Sequence, residues 1–74
     1  MISRSKIAAY LAQRSLPRSG FVLTLKRKPI GWEAELPPPS KVEPGVAAVE
    51  VENMIEHRAY GGDAFRGANE WVMQ

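Results

Sequence analysis

The sequence has no cysteine and a single histidine, which excludes a disulfide framework and the usual cysteine and histidine zinc cage. Aromatic residues are scarce, two each of Trp, Tyr and Phe, so each one placed on the surface is withheld from the core. No apolar run approaches the roughly 18 residues of a membrane span, and the start lacks the apolar stretch of a secretory signal. A chain of 74 residues buries only about 60% of the surface its unfolded form exposes. With no disulfide or zinc, the remaining supports are tight packing or a partner subunit, and a homodimer is one expected route. The missing cysteines fit a reducing compartment, and the expected location is cytoplasmic. Residues 1–20 are rich in Arg and Ser and free of acids, as a mitochondrial presequence is. Removing them would leave about 54 residues, a poor basis for a core, so an ordinary basic helix is preferred.

Charge is distributed unevenly. Arg4, Lys6, Arg14, Arg18, Lys26, Arg27 and Lys28 precede the first acid, Glu33, whereas Glu35, Glu43, Glu50, Glu52, Glu56, Asp63 and Glu70 outnumber the cations that follow. Such asymmetry points to a nucleic-acid or acidic partner, or to two halves that neutralise each other on folding.

The pattern predicts a single domain, residues 1–74, of the α+β class, with helices on one face of an antiparallel sheet. A helix is expected over residues 5–15, capped by Ser3 or Ser5 and stopped by Pro17. Ile7, Ala8, Leu11 and Ala12 share one face, and Lys6, Tyr10, Gln13 and Arg14 the other. Residues 21–28 alternate, with Phe21, Leu23 and Leu25 inward, and 32–36 alternate again, with Trp32, Ala34 and Leu36 apolar. Parity of the two runs favours a turn over Pro29–Trp32, which sets Lys28 opposite Glu33 and Lys26 opposite Glu35 as cross-strand ion pairs. Residues 37–43 are a proline-rich connector, expected to act as a spacer. A second helix is expected over residues 44–60, burying Ala48, Val51, Ile55 and Ala59 and ending at Gly61-Gly62; Val49 to Glu52 can also be read as strand. The terminal element, 63–74, is expected as a short strand, with a helix capped by Asp63 as the alternative.

The inventory for chemistry is thin. His57, the lone imidazole, has no evident orienting partner in sequence. Glu52 and Glu56 stand four apart, a spacing common on solvated helix faces. The glycines lack the strand-to-helix frame and lysine of a phosphate loop, and the serines sit in cap or turn contexts. No catalytic residue, cofactor or metal is expected.

The expected function is a non-catalytic protein-binding regulator or inhibitor. Its partner is another protein or protein complex, with charged patches steering docking and a few aromatics supplying affinity. The candidate partner-binding residues are Arg4, Lys6, Tyr10, Arg14, Arg18, Arg27, Tyr60, Phe65 and Trp71. In general plan, a hairpin followed by a helix resembles small bacterial and phage accessory proteins, including the anti-CRISPR inhibitors of bacterial defence complexes; the likeness rests on architecture and on no motif. The alternative is a nucleic-acid binder using Arg4, Lys6, Arg14, Arg18 and Arg27 on phosphates with Tyr10 stacking. A third reading is a structural subunit that folds within an assembly.

Overall fold

The computed structural model describes residues 1–74. One helix, α1 (Arg4–Gln13), is followed by five strands: β1 (Phe21–Leu25), β2 (Lys28–Glu33), β3 (Ala47–Glu50), β4 (Ile55–Tyr60) and β5 (Glu70–Met73). The strands form one antiparallel sheet in the order β2-β1-β3-β4-β5. No helix is long and apolar enough to cross a membrane.

Helix α1 begins where Ser3 accepts a hydrogen bond from the Lys6 amide at 3.3 Å, satisfying one of the free N–H groups of the first turn. It stops ahead of Pro17, with Ser15 in the left-handed region and the Leu16 amide donating to Leu11 O at 2.9 Å. Ile7 and Leu11 seat it on Val22 and Val49 of the two central strands, joined by Ile2 and flanked by Tyr10, Leu16, Trp32, Val51 and Met54. Each fully buried aliphatic side chain there contributes roughly 1.5–3 kcal/mol.

The opposite sheet face is covered by chain without regular helix. Residues 34–46 carry Leu36 and Val42 onto Leu23, Val46 and Ala48, with only a single 3-10 turn at Pro39–Lys41. The expected connector therefore also covers core. It is tied to the far edge by the Trp71 indole N–H, which donates to Pro37 O at 2.7 Å, and by the Ala68 amide, which donates to Pro39 O and Val42 O. At Gly67 a Cβ would overlap the Ser40 carbonyl, and φ is +90°, so both close approach and backbone conformation require glycine there.

Three expectations are corrected. The chain is mostly sheet with one helix, and the second helix expected over 44–60 is absent: β3 and β4 occupy that stretch, joined by a turn over Val51–Met54. Val46, Ala47, Ala48 and Val49 are all buried, because a central strand covered on both faces has no polar side to alternate. Spacing alone cannot separate such a run from a helix.

The hairpin turn is also displaced. Leu25 pairs with Lys28, so the turn is Lys26-Arg27, not Pro29–Trp32. Phe21 faces Glu33 and Val22 faces Trp32. The register shifts between Leu23 and Thr24, leaving Ile30 unpaired, which absorbs the parity conflict through a bulge. The proposed Lys28–Glu33 and Lys26–Glu35 pairs do not form. The inward assignment on β1 fails for the same reason as in β3: Val22 and Thr24 are as buried as Leu23, with Val22 packed against Ile7 and Leu11 of α1 and Leu23 packed against residues 34–46.

Candidate interaction surface

Beyond Glu56, the outer strands leave the α1 side of the sheet largely open. Register places Glu56, Arg58 and Tyr60 of β4 and Glu70 and Val72 of β5 on the same face as Val22 and Val49. Tyr60 is 43% exposed and Val72 38%. Glu56, only 7% exposed, accepts a hydrogen bond from Arg58 Nη2 at 2.5 Å, which offsets the desolvation of its carboxylate. That hydrogen bond, and after it the Glu56 charge, raises the Arg58 pKa above its ordinary value. A raised base loses its charge only as pH rises through the raised value, so Arg58 stays cationic throughout the neutral range.

Beside this pair lies a cavity of about 420 Å³ lined by Thr24, Lys26, Arg27, Ala47, Glu56 and Arg58, among others. Lys26 and Arg27 reach it from the β1–β2 turn with φ of 53° and 65°. Arg4 and Arg18 line a separate groove of about 230 Å³ with Ile7, Leu11, Met54 and Glu52. Of the cations nominated from sequence, Arg27 lines the first cavity and Arg4 and Arg18 the second, each of which contains an acid, while Lys6 and Arg14 line neither. Arg14 lies over the Tyr10 ring, 4.7 Å from its centroid, and Tyr10 packs on the α1 core. Lys6 is exposed on α1. Trp71 is half-buried and held by Pro37, so Tyr10 and Trp71 have structural work that accounts for them.

The loop from β4 to β5 is different. Phe65 is 96% exposed, yet the backbone that carries it is closely tied. Asp63 Oδ1 accepts from the amides of Phe65 at 3.0 Å and Arg66 at 2.6 Å. The Asp63 amide donates to Gly67 O, and the Gly67 amide to Asp63 O, at 3.2 and 2.8 Å. The short-range acceptor of an aspartate locks a turn in this way, and Gly67 anchors its base against Ser40. An aromatic ring with Arg66 beside it is therefore presented from an ordered turn, with Tyr60 at the end of the preceding strand.

Sequence reading named Phe65 and Tyr60, gave Asp63, Lys26 and Glu56 other roles (helix cap, cross-strand pair and solvated helix face), and did not single out Arg66 or Arg58. For Asp63 the signal was present: Gly-Gly-Asp followed by Gly67 marks a turn between apolar runs. No local signal marks Glu56 as buried, because its environment is assembled from β1, β3 and the N-terminus.

His57 makes an edge contact with Phe21 at 6.0 Å between centroids and no side-chain hydrogen bond. No group of three or more His, Cys, Asp or Glu residues stands together in a way that could hold a metal. No family model matches the chain, and no curated protein or solved structure matches it. The likeness to anti-CRISPR proteins rested on a hairpin followed by a helix, and that arrangement is not the one adopted.

Proposed function

We propose that this chain is a non-catalytic protein-binding module that docks through the β4–β5 loop, with Phe65 as its anchor and Arg66 and Tyr60 as flanking contacts. The observation that carries the reading is the conjunction of a phenylalanine 96% exposed with a turn fixed by Asp63. Single exposed apolar residues are ordinary, and a flexible loop displaying one would lose much of its gain in ordering. A ring carried on a backbone already held in place avoids the backbone part of that cost on binding. Aromatic residues and arginine are enriched among the side chains that dominate interface energies. Burying the ring in a partner's pocket would contribute roughly 1.5–3 kcal/mol. That Arg4 and Arg18 line one groove and Lys26 and Arg27 another, each with a glutamate, is a further argument for a protein partner, since a nucleic-acid surface needs its cations aligned along a phosphate track.

The test is a paired capture from lysate of the source cells, using the immobilised chain and its Phe65→Ala variant, read by quantitative mass spectrometry. The reading expects one or a few proteins retained by the wild type and depleted from the variant. Identical retention by both overturns it.

A further inference from the structure

The two edges of the sheet are not equivalent. At the β2 edge, Lys28 is charged, Pro29 has no N–H to offer, and Ile30 bulges out of the ladder. Charge, proline and bulges are the means by which an edge strand is kept from pairing with another. The β5 edge, Glu70–Met73, contains no proline, no lysine and no bulge. Beyond the exposed Glu70 at its start, its exposed side chains are apolar on both faces: Val72 is 38% exposed on the α1 side and Met73 65% exposed on the other.

The backbone shows which groups are free. The Gln74 amide donates inward to Glu56 O at 2.8 Å. Hydrogen-bonding direction alternates along an antiparallel strand, so Val72 shares its polar groups with β4, and Trp71 and Met73 turn theirs outward.

We propose that β5 pairs antiparallel with β5 of a second copy of this chain, about a two-fold axis at Val72, making one sheet continuous across the dimer. In that register each Trp71 faces the other copy's Met73, so the outward N–H and C=O groups of both residues are exchanged as a hydrogen-bonded pair. The same register sets thioether against indole on one face and Val72 against Val72 on the other. Charge selects the antiparallel sense: Glu70 is the only charged residue of β5, and the two copies of it lie about four residues apart, roughly 13 Å along the strands. A parallel, in-register pairing would hold the two carboxylates at about 4.8 Å, the strand spacing, where like charges repel. A chain this small also has much to gain from a partner subunit. The proposal is independent of the Phe65 reading, because the loop and the strand edge are separate surfaces.

Sedimentation velocity on the full chain from about 10 µM to about 1 mM spans the range in which a weak dimer populates. The expected result is a weight-average mass rising from monomer toward dimer, with Phe65→Ala behaving as wild type. Val72→Lys, and separately Met73→Lys on the opposite face, are expected to weaken association at least tenfold while retaining the wild-type circular dichroism spectrum. Either variant that stays folded decides the matter if the other does not. A wild type that remains monomeric to the highest concentration, a folded lysine variant that associates as wild type does, or loss of association in Phe65→Ala overturns the proposal.

Discussion

Replacing Lys26-Arg27 by Asn-Gly should stabilise the protein. Both residues sit in the left-handed region, with φ of 53° and 65°, where an ordinary L-residue costs roughly 1–2 kcal/mol. A two-residue hairpin turn needs that conformation at both positions, and Asn-Gly adopts it at little cost. Relief at both sites is about 2–3 kcal/mol, reduced by about 0.5–1 kcal/mol for the extra freedom of glycine in the unfolded chain, for a net gain of about 1–2 kcal/mol. For a domain of this size 1 kcal/mol corresponds to about 4–8 °C in Tm, so thermal unfolding should move up by roughly 5–15 °C. The double variant Lys26→Ala, Arg27→Ala removes the same two charges and keeps the left-handed requirement, and no comparable gain is expected from it. A turn over Pro29–Trp32 would instead put positions 26 and 27 inside a strand, where glycine destabilises by about 0.5–1 kcal/mol. An unchanged or lowered Tm in the Asn-Gly variant would refute the register and the reasoning drawn from it.

Three further outcomes are expected. Gly67→Ala should lose about 2–4 kcal/mol by urea unfolding, because its Cβ meets the Ser40 carbonyl at an unfavourable φ and strain of both kinds adds; a loss under about 0.5 kcal/mol contradicts the close approach. Trp71→Phe should cost about 0.5–1.5 kcal/mol by the same assay, the net value of the indole hydrogen bond to Pro37 O, and no loss would mean that residues 34–46 are not held by it. Asp63→Ala should lower the backbone order parameter at Phe65 from about 0.85 toward 0.6 or below by NMR relaxation, whereas unchanged values would show that the turn is fixed by something other than its carboxylate.

The parts of the fold legible in the sequence were those with local causes. Ser3 and Pro17 bracket α1, and the run Phe21 to Leu25 reads as the strand β1, although its faces do not alternate in burial. The two-sided burial of β1 and β3 was not legible, because polar residues mark an exposed face and Val46 to Val49 has none. Ala48, Val51, Ile55 and Ala59 fall at helical spacing across what is strand, turn and strand, and β-branched Val46, Val49, Val51 and Ile55 were the signal for strand that this spacing outweighed. The hairpin register was hidden by a bulge at Ile30 and by a turn made of two residues that rarely adopt it. In the candidate surface, Phe65 and Tyr60 could be named from their type, but the half-burial of Trp71 depends on Pro37, distant in sequence, and that of Tyr10 on how α1 packs on the sheet.

The most direct test of the docking role of the β4–β5 loop is the dissociation constant of a captured partner, measured by isothermal titration for the wild type and Phe65→Ala. If Phe65 is the anchor, its truncation should cost about 2 kcal/mol or more, a weakening of roughly 30-fold, with thermal stability unchanged because a ring 96% exposed makes little contact with its own fold. An affinity within about twofold of wild type would contradict the account and leave the exposed phenylalanine without the role assigned to it.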